Sequence, residues 1–167
     1  LAASTLNKPP TLGTASNGEN VVTPHQKVVV DRVRELLALG REWEARTEFR
    51  AALADKQVAF SLAELASSVG LHPWAIEAAA AAGAWDRVDL RFPVVFSEEF
   101  ANAASESGLT AESLMAVARR ESALAPDAVS KVGARGRMQP MPSTARLTAR
   151  KQNYRYSRPR LMRPGSN

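Results

Sequence analysis

The 167-residue sequence contains no cysteine and only two histidines, His25 and His72. The absence of cysteine excludes disulfide scaffolds, thiolate metal sites and cysteine nucleophiles, and two histidines are too few for a histidine-rich metal centre. Aromatic residues make up only 6% of a chain that is 45% hydrophobic, so a core of ordinary size would be mainly aliphatic. We therefore predict chemistry based on carboxylates, hydroxyls, amides or basic groups, with no metal and no cofactor.

Acidic residues are missing from the last part of the chain, since none follows Asp127. Residues 1–130 carry 12 basic and 17 acidic side chains, whereas the remainder carries ten cations and no anion. Clustered cations gain from counterion release on nucleic acid, so a basic nucleic-acid-binding protein is one hypothesis. The ten cations are Lys131, Arg135, Arg137, Arg146, Arg150, Lys151, Arg155, Arg158, Arg160 and Arg163.

Long apolar runs are also missing, so the sequence shows neither a secretory signal nor a membrane span. The opening residues are rich in Ser, Thr, Asn, Gly and Pro and lack helical periodicity. We predict a flexible N-terminal segment over residues 1–27.

Helical patterns punctuated by glycine dominate the next part of the chain. The apolar stripes predict four helices, which end near Gly40, Leu53, Gly70 and Gly83. Short helices joined by short turns indicate a superhelical array of helix hairpins over residues 28–84. A proline at position 93 pushes its predecessor out of the helical region, so residues 85–96 are predicted to form a linker.

Two further helices are expected after this linker. Ser97 is predicted to cap the first, which Gly108 ends, and Thr110 to cap the second. On the second helix, with Leu114 set at 0°, Glu121 falls at about 340° and shares the apolar face with Val117 and Ala118. Arg119 and Arg120 are expected on the solvated side.

Glu121 is the most informative residue in this region. A carboxylate on an apolar face should be partly desolvated, which raises its pKa and suits a general acid. An alternative is that Glu121 closes the helix by bonding to the next loop or pairs with an arginine.

The segment after Glu121 is rich in turn residues and neutral polar groups. Gly133 and Gly136 permit tight turns, while Ser130 and Gln139 offer the hydroxyl and amide groups that suit sugar recognition. The run GARG is a weak phosphate-loop signal because no strand precedes it. Met138 and Met141 would ordinarily fill a core.

The run ARRESALAPDAVSKVGARGRMQPMPSTA closely resembles the catalytic motif of soluble lytic murein transglycosylases. The preceding WDRVDLRFPVVFSEEF resembles the family's linker, and the helices before it resemble the end of its superhelical region. The resemblance implies an all-α fold, with the superhelical segment followed by a partial lysozyme-like catalytic domain over residues 97–167. The matching motif residues are Glu121-Ser122-Ala123, Ser130, Gly133-Ala134, Gly136, Met138-Gln139, Met141-Pro142 and Thr144-Ala145.

The resemblance also implies an activity, namely nonhydrolytic cleavage of the β-1,4 bond between N-acetylmuramic acid and N-acetylglucosamine. Glu121 would be the single acid/base, and the products would be 1,6-anhydromuramyl sugars. Most glycosidases need two carboxylates, and no convincing second one follows Glu121. The resemblance further implies a periplasmic or cell-envelope location, peptidoglycan glycan strands as partners and possible cell-wall enzyme complexes.

The resemblance also implies roles for individual residues of the motif. Ser130, Gln139 and Met141 match positions that line the glycan cleft, and Ser122 matches a residue that supports the acid. Neither histidine is close to Ser122 in sequence, so no catalytic triad is evident. The remaining supporting positions are Gly133, Gly136, Met138 and Thr144.

The sequence departs from the family pattern at two positions and in its extent. Arg137 stands where the family usually has leucine, and it can either turn outward or pair with Glu121. Pro140 replaces a β-branched residue or leucine and restricts Gln139. The family's domain continues through a Tyr-Asn-Ala-Gly motif that this sequence does not contain, so we expect weak or no activity from this chain alone. A noncatalytic helical scaffold that binds peptidoglycan is the second hypothesis.

Overall fold

The computed structural model describes residues 22–157, 159 and 161. The predicted flexibility of residues 1–21 lies outside this part of the chain. Within the described residues, all secondary-structure elements longer than an isolated bridge are helices, which confirms the all-α prediction. The helices are α1 (Pro24–Ala38), α2 (Glu42–Ala52), α3 (Lys56–Ser68), α4 (His72–Ala82), α5 (Val88–Arg91), α6 (Ser97–Ser107), α7 (Ala111–Ser122) and α8 (Pro142–Lys151).

Local capping explains where several helices begin. Thr23 and Gln26 form a reciprocal capping box at α1, so the helix begins at Pro24 and the predicted boundary between residues 27 and 28 falls inside it. Asp55 caps α3 by accepting hydrogen bonds from two backbone amides. Ser97 does not cap α6, because Phe96 occupies the cap position without a side-chain bond. That part of the prediction is wrong.

Helices α1 to α4 pack around a first core, as the hairpin prediction requires. The rings of Phe49 and Trp74 lie with their centroids 4.9 Å apart and tilted by 50°. The guanidinium of Arg46 lies 4.6 Å from the Trp74 ring centre and 5.2 Å from that of Phe49, and it also pairs with Glu77. The guanidinium thus lies against both aromatic rings where α2 meets α4.

The segment predicted as a linker contains the short helix α5. Leu90 on α5 is 2% exposed and belongs to the first core. Arg87 bonds to both Asp89 and Glu64 and so ties this segment to α3. Its bonds with Asp89 lower the pKa of the Asp89 carboxyl. This segment is therefore attached to the hairpin array through the burial of Leu90, a contact between residues far apart in sequence that local patterns do not reveal.

A second core lies under α6 and α7. It contains Phe100 from α6, Ala118 from α7, Leu124 from the following turn and Ile76 from α4. Because Ile76 comes from the hairpin array, the two parts of the chain share packing rather than meeting only through a connecting segment. Among the described residues, no helix has the length and apolarity needed to cross a membrane.

Candidate active site

The helix α7 places Glu121 in its last turn. Thr110 caps the helix by accepting a hydrogen bond from the Ser113 amide at 3.2 Å, as predicted. The helix ends because Ala123 and Leu124 adopt positive φ angles of 52° and 69°. Leu124 is 1% exposed, so its burial in the second core holds the chain in this turn directly after Glu121.

The buried face of α7 differs from the predicted one. Ala118 is fully buried at about 40° on the helical wheel, and Met115 packs on the second core at about 100°. Glu121 at about 340° is exposed, and Val117 beside it is 46% exposed. The predicted desolvation of Glu121 is therefore wrong for this structure. The α7 residues that pack on the second core, which are Ala111, Leu114, Met115 and Ala118, centre near about 50°, and this direction lies about 70° from Glu121.

Residues 128–140, which we call the 128–140 loop, follow this turn and fold on themselves. The Ser130 amide donates to the Ala134 carbonyl, and the Ala134 amide donates to the Ser130 Oγ, both at 3.0 Å. Gly133 and Gly136 have φ angles of 92° and 74°, in the region that glycine tolerates best. The predicted tight turns are thus present. The Ser130 hydroxyl oxygen holds one of them closed.

Gln139 also braces the 128–140 loop. Its Nε2 donates to the carbonyls of Ala128 at 3.1 Å and Gly136 at 2.7 Å. Gln139 has a φ of 49° immediately before Pro140, a conformation that side-chain-bearing residues seldom adopt. Pro140 nevertheless accepts a hydrogen bond from the Arg135 amide at 3.3 Å, so the loop remains closed around the proline.

Ser122 connects α7 to the 128–140 loop. Its hydroxyl donates to the Arg137 carbonyl at 2.8 Å and lies 3.2 Å from the Ala118 carbonyl. Because Ser122 is the next residue after Glu121, this bond ties the last turn of α7 to the loop.

The side chain of Arg137 adopts neither of the two predicted positions. It is only 7% exposed, and its guanidinium carbon lies 4.0 Å from the centre of the Phe96 ring. Burial lowers the pKa of Arg137, and the charge of Glu99 partly opposes that change. The residue is therefore neither turned outward nor paired with Glu121.

The other predicted site residues are distributed around the loop. Met138 packs on the second core, as an ordinary core methionine would. Met141 is 39% exposed at the cap position of α8, and Thr144 lies exposed on that helix. The structure thus brings Ser122, Ser130 and Gln139 together as bonded parts of one turn and loop, with Met141 and Thr144 directly after it.

The sequence did not predict an apolar groove of about 550 Å³, which lies on the side of α7 away from Glu121. Met115 and Ala116 line it, and Phe92 at its edge is 51% exposed. Arg119, expected on the solvated side, borders this groove. Its Nε donates to the Arg91 carbonyl at 2.8 Å and its guanidinium lies 5.2 Å from the Phe92 ring centre. Burial, and then the charge of Arg91, lower the pKa of Arg119.

Metal-ligating side chains do not gather in groups of three or more within the described ranges. The groups available for chemistry at the end of α7 are the exposed carboxylate of Glu121, two hydroxyls, one amide side chain and the backbone. This set can transfer a proton and bind hydroxyl groups.

Two family models match consecutive parts of the chain. The soluble lytic murein transglycosylase L domain matches residues 24–88, and the transglycosylase SLT domain matches residues 98–167. The first match covers α1 to the start of α5, and the second covers nearly all of α6, all of α7, the 128–140 loop and α8. The fold is the all-α, lysozyme-like fold of lytic transglycosylases. The chain belongs to the soluble lytic murein transglycosylase family.

Individual relatives agree with the family models. The chain is 38% identical over 132 residues to a Haemophilus influenzae protein assigned as a soluble lytic murein transglycosylase, an overlap of 78% of this chain and 22% of that protein. It is 35% identical over 122 residues to the soluble lytic murein transglycosylase of Escherichia coli, covering 71% and 19% of the two. The chain thus spans about a fifth of the length of these curated relatives.

Solved structures show the same fold. An inactive mutant of the lytic transglycosylase Slt from Pseudomonas aeruginosa has a TM-score of 0.83 at 31% identity, covering 99% of this chain and 28% of that one. The 70-kDa soluble lytic transglycosylase in complex with bulgecin A has a TM-score of 0.80 at 29% identity, with the same coverage. The fold of this chain therefore corresponds to slightly more than a quarter of each of these proteins.

Proposed function

We propose that this chain is part of a peptidoglycan lytic transglycosylase in which Glu121 is the single catalytic acid and base. The position of Glu121 carries the proposal. Its carboxylate is exposed in the last turn of α7, where Ser122 fastens the 128–140 loop to the same turn. The relatives named above are murein transglycosylases, and this turn and loop lie in the part of the chain that matches the SLT domain.

The proposed reaction needs one carboxylate. Neutral Glu121 protonates the glycosidic oxygen between N-acetylmuramic acid and N-acetylglucosamine, and the bond to the muramyl anomeric carbon breaks. The resulting carboxylate takes the proton from the muramyl C6 hydroxyl, whose oxygen bonds to the anomeric carbon and closes a 1,6-anhydro ring. Glu121 returns to its neutral form and no water is consumed. The substrate supplies its own nucleophile, so the second carboxylate of ordinary glycosidases is not required.

Ser130, Gln139 and Met141 are proposed to contact the glycan. The Ser130 oxygen accepts from a backbone amide, which leaves its hydroxyl proton for a sugar oxygen. Both bonds of Gln139 use Nε2, so its Oε1 can accept from a sugar hydroxyl. The partly exposed Met141 offers an apolar contact at the start of α8. Ser122, Gly133, Gly136, Met138 and Thr144 would act by maintaining the shape of the loop and its surroundings.

Weak or no turnover is expected from the chain alone. Glu121 and its neighbour Val117 face solvent, whereas proton transfer to a leaving oxygen is most effective in a site that excludes water. For the protein to which the chain belongs, we propose peptidoglycan glycan strands as substrate and the periplasm or cell envelope as location. Other cell-wall enzymes are candidate partners.

Mass spectrometry of muropeptides released from purified sacculi tests the reaction. We expect few or no 1,6-anhydro products from the chain alone, and abundant ones from a chain extended along its own gene to the length of its relatives. Glu121→Gln should abolish them. Glu112→Gln, a matched change at an exposed glutamate in the first turn of the same helix, should not.

Two results would contradict the proposed reaction, and a third would contradict only the expectation of weak activity. Reducing-end products in place of anhydro products indicate hydrolysis. Binding to sacculi without bond cleavage by the extended chain indicates a noncatalytic scaffold. Abundant anhydro products from the short chain contradict the expectation of weak activity, although they support the reaction itself.

A further inference from the structure

Arg137 is a buried cation in a part of the molecule where an apolar side chain would be the ordinary choice. Only 7% of its surface is exposed, and its Nε atom is buried with no hydrogen-bond partner among the residues described. Arginine is seldom buried to this extent without a paired carboxylate. Its stacking partner is Phe96, whose ring centre lies 4.0 Å from the guanidinium carbon. An aromatic face is one of the few apolar surfaces that attracts a guanidinium.

Phe96 is itself held in an unusual position. Its φ angle is 57°, in the left-handed region, and it occupies the N-terminal cap position of α6. Its side chain packs against the second core. The guanidinium of Arg137 therefore lies against a ring that is fixed by the entry into α6.

The backbone of Arg137 makes the second connection. Its carbonyl oxygen accepts the Ser122 hydroxyl bond at 2.8 Å, and Ser122 directly follows Glu121. One residue thus contacts the start of α6 through its side chain and the end of α7 through its carbonyl. If the stack fixes the side chain of Arg137, it also limits where that carbonyl can lie.

We propose that Arg137 is a positioning residue, which holds the last turn of α7, and with it Glu121, through its stack on Phe96 and its carbonyl bond to Ser122. The inference rests on the proposed function in one respect, since it takes Glu121 to be the reacting group. The stack on Phe96 takes the place of the apolar packing that a smaller or uncharged residue would supply. The bond from Ser122 to the Arg137 carbonyl then fixes the position of the helix end.

Nuclear magnetic resonance on the chain as it stands tests the coupling through backbone order rather than activity. The Arg137 side-chain methylene protons should resonate upfield because of the Phe96 ring current, and this shift should be lost in Phe96→Leu. The order parameters of the Ser122 and Glu121 amides should fall in Arg137→Gln. Arg135→Gln, the same substitution two residues away in the same loop, should leave them unchanged.

Combined variants separate positioning from a general loss of stability. Ser122→Ala should lower the order of Glu121 as much as Arg137→Gln, and the double variant should lower it no further, because both act through one bond. Additive effects would overturn the proposal, as would an unchanged order of Glu121 in folded Arg137→Gln. If Arg137→Gln does not fold, Phe96→Leu decides, since it keeps the arginine and removes the ring. The absence of lytic activity would contradict the proposed function without changing this measurement.

Discussion

The Nε2 atom of Gln139 donates a hydrogen bond to the carbonyl oxygen of Ala128 at 3.1 Å, closing the 128–140 loop from end to end. A second bond from the same atom reaches the Gly136 carbonyl. A residue that the family pattern assigns to ligand binding is therefore also a structural brace.

Replacing Gln139 by methionine, which has similar size and no donor, should destabilise the chain. Both carbonyls keep a backbone donor, since the Gly136 amide donates to Ala128 at 2.9 Å and the Gln139 amide donates to Gly136 at 3.3 Å. The loss is therefore that of the side-chain bonds alone, and we expect the free energy of unfolding to fall by about 0.5–1.5 kcal/mol. Urea denaturation measures this. Gln152→Met, at an exposed position after α8, should have little effect. A normal unfolding curve for Gln139→Met together with weaker glycan binding would show that Gln139 acts on the ligand alone.

Phe49 should be among the most sensitive positions of the first core. It is 1% exposed and contacts both Trp74 and Arg46, so Phe49→Ala should lower the free energy of unfolding by about 3–5 kcal/mol. Trp43, on the same helix, is 78% exposed, and Trp43→Ala should change it by about 0.5 kcal/mol or less. Circular dichroism during urea denaturation compares the two. Equal losses would contradict the assigned core.

His72 should make stability depend on pH near neutrality. Burial lowers its pKa, and its Nδ1 is buried with no hydrogen-bond partner in the described part of the chain. The unfolded chain then binds the proton more readily than the folded chain. Stability should be fully present above the unfolded pKa of about 6.5 and should decrease as the pH falls from there through the folded pKa.

Urea denaturation at about pH 7.5 and about pH 5.5 measures this difference. His72→Gln should reduce it, whereas His25→Gln, at an exposed position, should retain it. The same difference in His72→Gln as in the unsubstituted chain would assign the pH dependence to other groups.

Gly133→Ala tests a turn of the 128–140 loop. Its φ is 92°, while an added Cβ would meet nothing within 4 Å, so any loss comes from backbone strain rather than collision. We expect a decrease of about 1–2 kcal/mol in the free energy of unfolding. Lys131→Ala, exposed in the same turn, serves as the control for loss of a loop side chain. An unchanged unfolding midpoint in Gly133→Ala would show that the turn can adopt another conformation.

Local signals predicted much of the helical framework. Thr110 caps α7 as expected, and Gly83 and Gly108 end α4 and α6 with positive φ angles. These features depend on residues within one turn of each other, which is why spacing alone locates them. The short helix α5 was missed because its support comes from the burial of Leu90 against distant helices.

In the candidate site, too, local features were predictable from the sequence and long-range contacts were not. The motif placed Glu121 at the end of a helix and the turn-forming glycines after it, because these features follow from residue type and spacing. The missing cysteines and scarce histidines left carboxylates, hydroxyls, amides and basic groups as the candidates for chemistry. The direction of the core under α7 and the burial of Arg137 on Phe96 depend on contacts between residues far apart in sequence. A helical wheel ranks faces by hydrophobicity, but which face is buried is set by the neighbouring helices that cover it. For that reason the sequence pattern placed Glu121 at the end of a helix, while its exposure to solvent and the partners of Ser122 and Gln139 were decided by packing.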